Sequence, residues 1–107
     1  MSRSLGVLGE DIAAHFLEKR GLRIVERNVF VDRDEIDIVY EESGEFSAVE
    51  VKTSSNGDDP LDAISDVKMY RVRRAVIGYR LRIVAVDAIT VMITPDVAEI
   101  RWLRGIL

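Results

Sequence analysis

With 107 residues the chain has room for one compact domain, expected to span 1–107, and is too short for two. It is 48% hydrophobic and 32% charged, which argues against disorder, and it has no cysteine, which excludes a disulfide framework or a thiolate metal site. The net charge of −4 argues mildly against a general nucleic-acid coat protein, so any such role must rest on how the charge is distributed.

No run approaches the roughly 20 apolar residues of a membrane helix, and the opening residues lack the apolar core of a secretory signal. A cytoplasmic protein without membrane contact is therefore expected.

Leu5 to Arg20 reads as an amphipathic helix stopped by Gly21, a residue suited to a left-handed C-cap. On a helical wheel Leu5, Leu8, Ile12, Ala13, Phe16 and Leu17 form one apolar arc. Glu10 falls at its edge, the usual place for an acid that reaches water. His15 lies off the arc with no partner at ligand spacing, as a surface residue would. Leu22–Val29 follows closely and alternates in part, giving a first strand.

The next stretch is a β-hairpin. Glu35–Tyr40 and Phe46–Thr53 alternate and are rich in β-branched residues, and Glu41–Glu45 between them is a polar turn containing Gly44. Asp37, Glu50 and Lys52 interrupt these otherwise apolar strands, and unpaired charge inside an apolar sheet is costly. With Tyr40 opposite Phe46, Asp37 faces Val49; with Tyr40 opposite Ser47, it faces Glu50, at about 5.5 Å between Cβ atoms. Glu50 and Lys52 are two apart and share a face. In the second register two acids and a lysine converge, and an oxygen-liganded divalent cation would offset the repulsion. The alternative is a solvated edge on which Lys52 neutralises Glu50.

After the polar loop Ser54–Asp59, Asp59 can cap a helix with Pro60 in its first turn. The expected helix runs from Pro60 to Tyr79 with an apolar stripe of Leu61, Ile64, Val72, Ala75, Val76 and Tyr79. Lys68 sits in that stripe, either lying along the core surface or reaching toward the acidic hairpin. Ile83–Val91 is nearly all apolar, as in a strand covered on both faces, and a right-handed crossover through the helix would make it parallel to the third strand. Asp87 is its lone charge, with backbone capping and chemistry equally open. Thr94–Asp96 is a turn and Ala98–Leu103 a last strand. The order α-β-β-β-α-β-β describes an α/β fold, a mixed sheet of about five strands with flanking helices.

Charge is segregated along the chain. Asp32 to Asp66 contains twelve acids against Arg33 and Lys52, whereas Val67 to Arg82 contains six bases (Lys68, Arg71, Arg73, Arg74, Arg80, Arg82) and no acid. A metal site beside a phosphate-binding surface has this pattern, and so do two solvated faces that attract one another.

An acid in the first helix, an isolated aspartate in one hairpin strand and Glu-x-Lys in the next resemble the PD-(D/E)XK nuclease superfamily. More closely, Leu8-Gly9-Glu10-Asp11, Gly21 with Asn28, Glu35-Ile36-Asp37-Ile38, Val49-Glu50-Val51-Lys52-Thr53 and Lys68 before an arginine-rich helix resemble the YraN family. That family is similar in fold to restriction endonucleases and archaeal Holliday junction resolvases. The resemblance implies a restriction-endonuclease-like domain that hydrolyses phosphodiester bonds in DNA, structured or branched, with Mg2+ or Mn2+. It implies metal ligation by Asp37, Glu50 and the Val51 carbonyl, and a catalytic set of Glu10, Asp37, Glu50 and Lys52, with Lys52 orienting or activating water. Lys68, Arg71, Arg73 and Arg74 would bind the substrate, and a homodimer would suit the two strands of a junction. Asp34 stands where the family usually has Gly, and Ser54 where it usually has Arg. The missing arginine touches substrate contacts and, with the acidic net charge, favours the competing reading, a module of the same fold that binds nucleic acid or a protein and cleaves weakly or not at all. The intact Glu10, Asp37, Glu50 and Lys52 set favours the nuclease.

Overall fold

The computed structural model describes residues 4–106, apart from the side chains of residues 62 and 63; residues 1–3 and 107 of the expected domain lie outside the described residues. The elements are α1 (Leu5–Lys19), β1 (Arg23–Val31), β2 (Asp34–Glu42), β3 (Glu45–Ser54), α2 (Asp66–Gly78), β4 (Ile83–Ile93) and β5 (Ala98–Leu103), with a 3₁₀ turn at Pro60–Ala63. The expected order of α and β elements is the observed one, and the five strands form one mixed sheet in the spatial order β1-β2-β3-β4-β5. All neighbours are antiparallel except β3 and β4, which are parallel because α2 carries the chain back between them.

Two apolar layers sandwich the sheet. On one face Ala13, Ala14 and Leu17 of α1 pack on Ile38, Tyr40, Val49, Val51, Ile89 and Val91. On the other, Val72, Ala75 and Tyr79 cover Ile36, Val39, Ala48 and Val86. Asp87, buried in β4, is structural: it accepts hydrogen bonds from the Tyr40 hydroxyl (2.5 Å), Trp102 Nε1 (2.9 Å) and the Gly105 amide (2.8 Å). Burial and this carboxylate push the Tyr40 hydroxyl up to about 12. No helix among the described residues is long and apolar enough to cross a membrane.

Three sequence expectations need correction. The hairpin turn is two residues, not five: Glu42 pairs with Glu45, and Ser43 (φ 53°) and Gly44 (φ 84°) both adopt the positive φ that a tight turn between twisted strands requires. The second helix does not start at Pro60. Asp59 caps only the 3₁₀ turn, Ile64 is extended, and Ser65 caps a new start, its hydroxyl accepting from the Lys68 amide at 3.2 Å. Finally, Leu5 and Leu8 are exposed and Gly9 is buried, so the buried face of α1 is rotated from the predicted arc. Gly9 explains the rotation. A Cβ there would lie 1.8 Å from Thr53 Oγ1, so α1 crosses β3 at its smallest residue, with no room for a leucine.

Candidate metal and phosphate site

Backbone pairing opens the site. Tyr40 pairs with Ser47 and Ile38 with Val49, the second of the two registers considered, which brings Asp37 to the position opposite Glu50. The β2–β3 ladder ends there. β2 continues along β1 as far as Asp34, while β3 stays with β4 as far as Ser54, so the two strands part. A buried amide stranded by this splay needs an acceptor. The Val51 amide finds it in Asp37, donating to Oδ2 at 2.8 Å.

A cavity of about 600 Å³ occupies the gap, and Glu10, Glu35, Asp37, Glu50, Val51, Lys52, Lys68 and Arg71 are among its lining residues. Glu10 comes from α1, oriented by the Asn28 side-chain amide, which donates to it at 2.6 Å. Asn28 reaches it from a left-handed backbone conformation (φ 50°) on β1, at the position that faces Asp37 in the register. Glu35 and Asp37 are two apart on β2. One carboxylate oxygen from each of Glu10, Glu35 and Asp37 lies within 4.8 Å of the others. Glu35 was absent from the sequence-derived set, although its i, i+2 spacing from Asp37 was the available clue.

Glu50 plays a different part. It faces the same cavity but is buried, and its Oε1 lies 3.3 Å from Lys68 Nζ. Lys68 therefore reaches the acidic hairpin instead of lying along the core, because the new helix start at Ser65 aims its first turn at the gap. Alternation along β3 puts Lys52 on the face of Ala48 and Glu50, toward α2.

The electrostatics follow from this crowding. Burial, then the Glu50 charge, raise the Asp37 carboxyl to about 8, against the lowering effect of the Val51 amide; Glu10 and Glu35 add to the rise. Burial and the adjacent Lys68 ammonium lower the Lys52 pKa. Burial works against the Lys68 ammonium too, but its contacts with Lys52 and Glu50 outweigh it and its pKa goes up.

Of the arginines expected to meet substrate, Arg71 lines the cavity. Arg73 is exposed and outside it. Arg74 is held in a two-pronged ion pair with the buried Asp34, Nε–Oδ2 at 2.6 Å and Nη2–Oδ1 at 2.8 Å. Asp34, noted as a departure at the glycine position, is thus the anchor of an arginine on α2. Ser54, the other departure, is buried and donates to Asn56 Oδ1 at 2.8 Å inside the loop.

A family model matches residues 9–91, a segment that contains every one of these cavity acids and lysines. The chain belongs to the uncharacterised protein family UPF0102, the YraN family. Among its relatives, a UPF0102 protein of Renibacterium salmoninarum is 36% identical over 112 residues, covering 95% of this chain and 94% of the relative. One of Syntrophomonas wolfei is 38% identical over 81 residues, covering 74% and 70%. A third, of Dictyoglomus turgidum, is 30% identical over 109 residues, covering 94% and 92%. This UPF0102 chain is therefore similar to two of these relatives over nearly its whole length and to the other over about three quarters of it, and the mixed five-stranded sheet is consistent with a nuclease-like fold.

Proposed function

We propose that the protein is a metal-dependent endonuclease that hydrolyses phosphodiester bonds in DNA, with structured or branched DNA as its substrate and Mg2+ or Mn2+ as its cofactor. The observation that carries this reading is the meeting of the Glu10, Glu35 and Asp37 oxygens within 4.8 Å, next to two lysines, in a cleft open to a phosphate. When ionised, three carboxylates crowded in a half-buried gap repel one another; a cation would offset that repulsion, and an all-oxygen donor set suits magnesium or manganese. Asp37, Glu10 and Glu35 would hold the cation, and Asp37 is the residue this trio shares with the ligand set of Asp37, Glu50 and the Val51 carbonyl that the family resemblance implies. When bound, the cation supplies positive charge against that developing on the phosphate.

The chain's own residues do the rest. Lys52, with its lowered pKa, holds or gives up a proton at Nζ beside the attacking water and opposes phosphate charge when protonated. Lys68 holds the Glu50 side chain in place through the 3.3 Å contact. Arg71 meets the phosphate backbone at the cavity rim, with Arg73 farther out on α2. A homodimer would present two such clefts to the two strands of a junction.

A second reading, a module that binds nucleic acid or protein and cleaves weakly, is favoured by one observation: Glu50 and Arg74 are already neutralised by Lys68 and Asp34. Titration calorimetry with Mn2+ and Mg2+, with cleavage of four-way-junction, splayed and plain duplex DNA, separates the two. Binding at millimolar concentration or below that Asp37→Asn abolishes, with junction cleavage that Lys52→Ala abolishes, is the expected result. Absence of metal binding by the unmutated protein removes the basis of the catalytic reading. Metal binding without cleavage favours the module.

A further inference from the structure

A second recess, of about 530 Å³, is lined by Arg33, Asp34, Val67, Tyr70, Arg71 and Arg74. It shares Arg33, Asp34, Val67 and Arg71 with the acidic cavity, so the two adjoin. Its lining carries three arginines against one aspartate, although the protein as a whole is negative. Tyr70 forms one wall and is 62% exposed. The Arg74 guanidinium carbon lies 5.5 Å from the ring centroid, and Asp34 pins that guanidinium through both hydrogen bonds. Arg74 thus braces the ring while most of the residue's surface stays open. Arg33, at the tip of the two-residue β1–β2 turn, and Arg71, in α2, are both exposed, and among the described residues neither is within ion-pair distance of an acid.

An anion alone would use the arginines and leave the exposed part of the tyrosine ring unused. A continuous duplex offers phosphates but keeps its base faces stacked on one another. An unpaired nucleotide offers both an anionic phosphate and a free aromatic face, the two things this recess is lined to receive. We propose that the recess is a subsite for an unpaired DNA nucleotide adjoining the scissile phosphate, with its base stacked on Tyr70 and its phosphate held by Arg33 and Arg71. The proposal rests on the nuclease reading for the identity of the neighbouring cavity. It narrows the substrate class to DNA with a single-stranded segment at the cut, such as a splayed arm, in preference to continuous duplex.

The test is binding in EDTA, so that cleavage plays no part. The probes are a splayed duplex carrying 2-aminopurine in its unpaired arm, and a plain duplex of the same length. The unmutated protein quenches 2-aminopurine fluorescence and prefers the splayed probe. Tyr70→Ala loses the quenching and weakens splayed-probe binding roughly 5- to 100-fold, while plain-duplex binding stays within about twofold. Tyr70→Phe keeps the ring and behaves as the unmutated protein, and unchanged circular dichroism and melting exclude misfolding. Equal weakening on both probes, quenching that survives Tyr70→Ala, or no preference for the splayed probe overturns the subsite. Cleavage assays with Mn2+ separate the two readings. Lack of cleavage with intact, Tyr70-dependent stacking refutes the nuclease and supports the subsite. Cleavage by a protein that shows no such stacking refutes the subsite alone.

Discussion

Asp37 is raised to about 8 by burial and by the acids around it, whereas an unfolded chain returns it to 3.8. The folded protein therefore holds this proton more tightly, and its stability in EDTA falls as the pH rises from about 4 through about 8. Melting followed by circular dichroism should show that decline for the unmutated protein and a flatter profile for Asp37→Asn. The variant should melt several degrees higher at pH 8 and no higher at pH 4. Adding Mn2+ at pH 8 should raise the melting temperature of the unmutated protein and leave the variant unchanged, since only a ligand of the folded state stabilises it. A profile independent of pH in both proteins would mean that Asp37 is not held in this electrostatic environment. Its neighbours divide the remaining work: Glu50 is satisfied by Lys68, and Asp34 by Arg74. Charges that looked alike in the sequence have three different fates here.

The hairpin and α1 meet at a single tight point. Gly9 lets the helix approach β3 so closely that a methyl group would fall on the Thr53 side chain. Gly9→Ala should therefore destabilise the protein by about 1–3 kcal/mol, despite alanine's better helix propensity. Because Glu10 is the next residue, the same change should displace its carboxylate and weaken Mn2+ binding, measured by calorimetry beside urea unfolding. A stabilised Gly9→Ala would place α1 farther from the sheet than described. The break between the 3₁₀ turn and α2 has a comparable consequence. A continuous helix from Pro60 would lack the Ser65 cap, and it is the first turn after that cap that presents Lys68 to Glu50.

Across the whole molecule, attraction for DNA must be local, because the protein carries a net charge of −4. Arg33 and Arg71, two exposed arginines that line the cleft, come from a turn and from a helix that are distant in sequence. If they contact phosphates, the double variant Arg33→Ala/Arg71→Ala should lower the slope of log affinity against log salt by about 2. Substituting Arg82, which lies outside both recesses, should leave the slope unchanged; an equal drop from Arg82 would indicate a diffuse field in place of a built surface. The sheet itself is well protected for a small protein. β1 is bulged between Ile24 and Glu26 and β5 is short and charged, which discourages edge-to-edge association.

Periods of two and 3.6 residues in the sequence determined that there are five strands and two long helices and that Glu50 and Lys52 share a face, and the crossover through a helix made β4 parallel to β3. The family likeness was legible in short motifs, and it named Glu10 before any geometry did. The tertiary structure decided what periodicity cannot encode. It chose between two hairpin registers one residue apart, rotated α1 about Gly9, and divided the acids into a carboxylate trio of Glu10, Glu35 and Asp37, a Glu50–Lys68 pair and an Asp34–Arg74 clamp. Each of those outcomes depends on which side chains from distant segments come within a few ångströms, and that distance is set by packing across the sheet.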